Sequence, residues 1–268
     1  MASEQTKWAN PVKEKLRRGE PVIGLVISVN NAEIAAAGAA LGFDFLWIEM
    51  EHAPISLETL RNMVLVTRGL PAVPFARPPV NELWTAKRLL DAGVLGVIFP
   101  FTRTAELARQ AVAACRYPPA GLRGSGADLA QARWPAPEGY YDFADSNAMV
   151  VAVVEDVIGL KNIDEIAATP GVDVIFIGTS DLSFSLGLRG RQDEPRLENA
   201  VAEIALAAKK HGKILGRPAR SPAEIKKYQE QGFLFFMTGT ELDFMAAGAA
   251  ALLGPFGRSR WQPPSLGI

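Results

Sequence analysis

Apolar residues fall along this chain in short β-branched runs, separated by longer stretches in which they recur at intervals of three and four. The runs Val22–Ser28, Asp44–Glu49, Ala72–Arg77, Val94–Pro100, Met149–Val154, Val172–Ile177, Lys213–Gly216 and Phe233–Thr238 predict strands. Helical periodicity covers Asn31–Leu41, Leu57–Arg68, Glu82–Ala92, Glu106–Arg116, Leu160–Ala168, Arg196–His211, Ala223–Gln231 and Leu242–Leu253. Punctuation agrees with periodicity. Ser56, Asn81 and Ser221 stand where helix N-caps belong, and Gly42, Gly93, Gly212 and Gly232 where helices stop. Eight strands alternating with helices are the number a closed (β/α)8 barrel requires, and 268 residues is close to the usual length of that fold. The expectation is one domain, with the barrel over about 20–253.

Two stretches break the rhythm. Tyr117–Asn147 carries Pro118, Pro119, Gly121, Gly124, Gly126, Pro135, Pro137 and Gly139 and no long periodic pattern. It reads as an excursion after the fourth helix, with Arg123 and Arg133 as candidate working residues. The tail over 254–268 reads as an extended arm whose Phe256 and Trp261 need a surface to cover, which points to a neighbouring subunit.

Charge and composition narrow the partners. Lys and Arg total 28 against 29 Asp and Glu, and no basic-aromatic stripe tracks a phosphate backbone, so nucleic acid is not expected. No run approaches the length that spans a bilayer, and the N-terminus lacks the apolar core of a signal peptide; the chain reads as cytoplasmic. The single Cys115 lies near the apolar stripe of a helix and reads as a buried structural thiol.

Candidate chemistry sits at strand ends. In a parallel barrel the carboxyl ends of the strands converge on one rim. Glu49, Glu51 and His52 follow the second strand, Arg77 ends the third, Glu155 follows the fifth and Asp181 the sixth. Acids, a base and an arginine on one rim are the parts of a metal-assisted enolate site. The segment Gly178-Thr179-Ser180-Asp181 leaves backbone N–H groups free to hold a carboxylate or phosphate. Each residue also has a structural reading: His52 as a turn brace, Arg77 as a surface ion pair, Glu155 as a helix-start charge, Asp181 as an N-cap. Asp91, at a helix end, reads as solvated, and His211 as an answer to a helix dipole. Lys213 begins its strand at the wrong end of the barrel for an imine mechanism.

The motifs Gly38-Ala-Ala-Leu-Gly-Phe-Asp44, Glu51-His-Ala-Pro54, Arg77-Pro78, Leu89-Leu-Asp-Ala-Gly93, Arg116-Tyr-Pro-Pro-Ala-Gly-Leu-Arg-Gly124, Gly171-Val-Asp-Val-Ile-Phe-Ile-Gly178 and Ser180-Asp-Leu-Ser183 together resemble the HpcH/HpaI aldolase family. The resemblance runs from about Gly24 to about Leu252. It implies a barrel of the phosphoenolpyruvate/pyruvate-domain type, and a reversible cleavage of a 4-hydroxy-2-oxo acid into pyruvate and an aldehyde. It implies a divalent metal, Mg²⁺ first and Mn²⁺ or Co²⁺ also suited, held by Glu155 and Asp181. It makes His52 the acid/base with Asp91 raising its basicity, Arg77 the enolate stabiliser, and Ser180 with Asp181 the source of N–H groups for the substrate carboxylate. Gly178, Thr179 and Arg123 join the substrate set, and a hexamer built as a trimer of dimers is the implied assembly. Two positions depart from the family pattern: Glu49 replaces an Asp, and Val153 replaces a Gln that touches the oxo acid. Those departures keep two alternatives open, a lyase acting on a CoA thioester and a barrel that binds an oxo acid without turning it over.

Overall fold

A computed structural model describes residues 8–134, 136 and 139–258 of the chain. The elements run α1 (Pro11–Arg17), β1 (Val22–Ile27), α2 (Ala32–Ala40), β2 (Phe45–Glu49), α3 (Leu57–Val66), β3 (Val73–Arg77), α4 (Leu83–Ala92), β4 (Gly96–Phe99) and α5 (Ala105–Ala114). They continue with α6 (Asp128–Arg133), α7 (Tyr140–Asn147), β5 (Met149–Val154), α8 (Val157–Lys161), α9 (Ile163–Ala168), β6 (Val174–Ile177) and α10 (Thr179–Ser185). The last are α11 (Pro195–Lys210), β7 (Ile214–Pro218), α12 (Pro222–Glu230), β8 (Phe233–Thr240), α13 (Glu241–Leu253) and a 3-10 turn, Gly254–Phe256. The strands pair in chain order and all in parallel, and β8 closes on β1, giving a (β/α)8 barrel.

Period-two alternation sorts each strand between two cores. On β2, Leu46 and Ile48 join the layer between barrel and helices, while Phe45 and Trp47 fill the interior. On β5, Val150, Ala152 and Val154 face out while Met149, Val151 and Val153 face in. By the same parity Glu49, Arg77 and Glu155 continue the inward rows at the carboxyl ends, which makes them buried charges above an apolar floor. Glycines make room for rings in that floor: a Cβ on Gly24 would lie 2.2 Å from the Phe45 ring, and one on Gly96 2.1 Å from the Phe75 ring.

The opposite end of the barrel is plugged. Helix α1, which periodicity did not reveal, contributes Val12 and Leu16 to the interior core. The excursion after α5 joins it. Rather than a structureless loop, it folds α6 and α7, whose Ala130, Tyr140, Phe143 and Ala144 pack with Trp134 into the same core. Among the N-caps, Ser56 and Ser221 accept from Thr59 and Glu224 as expected, but Glu82 takes the N-cap position of α4 without a side-chain cap bond, and the Asn81 amide instead donates to Thr102 Oγ1 at 3.2 Å. The helix expected over Leu160–Ala168 is two short ones, broken at Asn162. Most of the expected arm over 254–268, including Trp261, lies outside the described residues; Phe256 is exposed. Among the described residues no helix is long and apolar enough to cross a membrane.

Candidate active site

Strand register builds the first half of the site. Glu49 and Arg77 are register partners at the ends of β2 and β3, so their inward side chains meet. Arg77 Nε donates to Glu49 Oε2 at 2.6 Å, and Trp47 Nε1 donates to the same oxygen at 3.0 Å. The other oxygen, Glu49 Oε1, accepts from the backbone N–H groups of Glu51 (2.7 Å) and His52 (3.0 Å). Glu49 therefore shapes the turn that presents Glu51 and His52 as well as anchoring Arg77. The longer side chain still delivers its carboxylate to four donors.

Arg77 also reaches Glu51, with Nη1 at 3.1 Å from Oε2. The alignment is incomplete in a telling way. Glu51 Oε2 and Arg77 Nη2 are buried and neither makes an aligned hydrogen bond, although Nη2 sits 2.6 Å from Glu49 Oε2. Both atoms are thus held by ion pairs of imperfect alignment in the same pocket. Burial pushes the Glu51 carboxyl up from the ordinary range, against the pull of Arg77. His52 is half exposed on the rim, and its Nε2 lies 3.7 Å from Glu51 Oε2.

The second half comes from β5 and β6. Val154 and Ile177 are register partners, so the residues that follow them, Glu155 and Gly178, are neighbours. A Cβ on Gly178 would lie 2.7 Å from both Cβ and Oε2 of Glu155, so the absence of a side chain there is what admits the carboxylate. Glu155 Oε1 accepts from the Phe101 backbone N–H at 2.7 Å, and Phe101 holds φ 45, a left-handed conformation unusual for an aromatic residue. Burial lifts the Glu155 carboxyl to about 7, the Phe101 hydrogen bond and Arg77 opposing, Glu51 and Asp181 adding to the lift. Asp181 lies within the first turn of α10 rather than capping it, and its carboxylate makes no hydrogen bond or ion pair among the described residues. Asp156, not Glu155, caps α8, accepting from Gly159 N–H at 2.8 Å.

Residues 23–247 match the family model described as HpcH/HpaI aldolase/citrate lyase. The chain belongs to the HpcH/HpaI family. It is 36% identical over 256 residues to 4-hydroxy-2-oxo-heptane-1,7-dioate aldolase of Salmonella paratyphi A, covering 94% of this chain and 96% of the relative. It superposes on an HpcH/HpaI aldolase/citrate lyase family protein from Burkholderia cenocepacia with a TM-score of 0.85 at 32% identity, covering 93% of this chain and 100% of that one. A structure of citrate synthase SbnG aligns with a TM-score of 0.81 at 30% identity, covering 92% of this chain and 97% of that one.

The HpcH/HpaI family site implies a divalent cation, and the donor set fits one. Among the described residues no group of three His, Cys, Asp or Glu forms a complete cation site. Two carboxylates do stand ready: Glu155, desolvated and destabilised by its acidic neighbours, and Asp181, without a partner. Hard oxygen donors that leave positions for water and substrate suit a cation of the Mg²⁺ or Mn²⁺ kind.

Three expectations fail within one chain. Asp91 does not approach His52: it ends α4, at the plugged end of the barrel, where Arg123 Nη2 holds it at 2.9 Å. Arg123 is buried there against the Tyr117 and Tyr140 rings, so it does not face the rim site. Arg133 is wholly structural, donating to the Val64 and Thr67 carbonyls and stacking on Trp134. The physical reason is common to all three: α4 and α5 return the chain to the amino-terminal end, and whatever follows them starts there. Elsewhere His211 pairs with Asp164 at 3.0 Å instead of serving a helix end alone, Lys213 binds the Thr169 and Val172 carbonyls, and Cys115 is buried with its thiol pushed up to about 12. Phe101 is the site residue that sequence reasoning missed; its only signal was a position just past β4, and it acts through its backbone N–H, which no side-chain pattern marks.

Proposed function

We propose that this protein is a divalent-metal-dependent aldolase that cleaves a 4-hydroxy-2-oxo acid into pyruvate and an aldehyde, and runs the condensation in reverse. The observation that carries the reading is the meeting of Glu155, Asp181, Glu51 and Arg77 on one rim, where carboxylates outnumber the one buried cation. Glu155 and Asp181 are the residues that would hold the cation, which supplies Lewis-acid polarisation of the 2-oxo carbonyl when bound. Arg77, fixed by Glu49, faces the negative charge that develops on the enolate oxygen. His52, exposed at the rim beside Glu51, takes the proton of the 4-hydroxyl and returns one to the three-carbon product. The N–H groups of Ser180 and Asp181 lie in the first turn of α10, where the helix ladder does not use them, and orient the substrate carboxylate, with Gly178 and Thr179 shaping that turn. Val153, apolar in the floor beneath, offers the oxo acid no hydrogen bond.

The same reading takes Mg²⁺ as the cation, the cytoplasm as the compartment, a single domain as the organisation and a hexamer as the working assembly. Asp91, remote from the rim within one chain, would join this chemistry only from a neighbouring copy, while Arg123 serves to hold it. Proton exchange at the pyruvate methyl group in D₂O, followed by NMR with and without Mg²⁺ or Mn²⁺, tests the proposal without knowledge of the aldehyde. Metal-dependent exchange that disappears in His52→Ala and Arg77→Ala is the expected result. No exchange with any metal sinks the aldolase reading and favours a barrel that only binds.

A further inference from the structure

Between α11 and α12 runs a groove of about 1540 Å³ that starts at Thr179–Asp181 and descends the outside of the barrel. Helix α12 buries none of its residues, so the two helices do not close over the strand between them. On that strand, β7, Leu215 belongs to the outer core, and Arg217, two residues on, projects the same way into the groove.

Arg217 is an anomaly there. Its guanidinium lies over the Tyr228 ring at 3.5 Å and near Phe233 at 5.3 Å, yet among the described residues it makes no hydrogen bond and no ion pair. Its Nε is buried without a partner. Glu224 is the one carboxylate that acts on it, and Glu224 Oε2 is spent on the Arg220 backbone N–H at 2.6 Å. A desolvated cation with no carboxylate in ion-pair contact costs stability, and a ring stack leaves its edge N–H groups still to be satisfied.

Charge along the groove is polarised. Glu198 and Glu224 lie in the first turns of α11 and α12, at the rim end, whereas Lys209 and Lys227 lie in their last turns. Arg217 leaves β7 near its rim end, and its guanidinium reaches down to Tyr228 in the last turn of α12, whose ring Lys227 also approaches. A carboxylate or phosphate offers the two coplanar oxygens that a guanidinium edge accepts bidentately, and the lysines add to its attraction.

We propose that the basic end of this groove is a binding site for a small organic anion, a carboxylate or phosphate, with Arg217 as its counter-charge. The site is separate from the rim chemistry and stands whether or not the aldolase reading does. Titration calorimetry at constant ionic strength, with inorganic phosphate and with malonate as probes, is the test. Saturable binding is expected, weakened about tenfold or more in Arg217→Gln and unchanged in Glu155→Gln. The tighter of the two probes identifies the ligand class. In the wild-type protein the Arg217 ¹⁵Nε resonance should shift on titration, a readout that survives if the variant folds poorly. Absence of saturable binding, equal binding in Arg217→Gln, or loss in Glu155→Gln would each overturn the proposal.

Discussion

The two ends of the barrel each bury arginine, and they use it in opposite ways. At the plugged end Arg133 works for the fold: Nε and Nη2 donate to two backbone carbonyls and the Thr67 hydroxyl, and its face covers Trp134. At the rim Arg77 is ion-paired with both Glu49 and Glu51, and two further carboxylates, Glu155 and Asp181, lie close by with no ion pair of their own among the described residues. Satisfied polar groups stabilise a fold, while a surplus of carboxylate held against solvent stores free energy that a bound cation or substrate releases. The proposed function accordingly places the chemistry at the rim, even though both ends carry the same residue types.

Removing the surplus should separate function from stability most sharply. Glu155→Gln is expected to lower kcat/KM on the order of 10³-fold, yet to leave the metal-free melting temperature equal or higher, because an ionisable group in an apolar setting is gone. A lower melting temperature with activity intact would reverse the assignment. At the other end Arg133→Met should cost about 2–4 kcal/mol in urea unfolding, by stranding the Val64 and Thr67 carbonyls, while kcat stays near wild type. Equal damage to activity would mean that the ends are coupled.

A smaller effect is expected from Gly178→Ala. The new methyl would displace the Glu155 carboxylate by its 2.7 Å approach, so activity should fall roughly 10- to 100-fold with metal affinity falling alongside. Unchanged metal affinity would show that Glu155 has another resting position.

The most gradual effect concerns pH. In the folded chain the Glu155 carboxyl is raised from 4.5 to about 7, so the folded state binds the proton more tightly than the unfolded state does. Stability of the metal-free protein should then fall as pH rises through the window between those values, by about 1 kcal/mol per unit, and level off above it. Denaturation midpoints measured across that window in wild type and Glu155→Gln would check it, the variant showing a flatter slope.

Within the fold, strands and helices were legible because burial imposes a period of two on barrel strands and a stripe on the helices that cover them. The eight runs needed only shifts of one or two residues at their ends. The excursion after α5 was not legible, since α6 and α7 are too short for a periodic pattern to rise above their Pro and Gly content. Glu49, Arg77, Glu155 and Asp181 could be selected from the sequence because a charge that ends an apolar run must emerge at the rim.

What the chain by itself determined is which residues reach that rim and which family chemistry they suit. Position along a strand fixes height in a barrel, and parity fixes the face. Only the tertiary structure decided who meets whom. Register across strands set Arg77 on Glu49 and opened Gly178 to Glu155, the turn at Phe101 supplied a donor from a different strand, and the return of α4 carried Asp91 away from His52 to Arg123. Those contacts join residues far apart in the chain, and no local pattern encodes them, because each depends on the closure of the whole barrel.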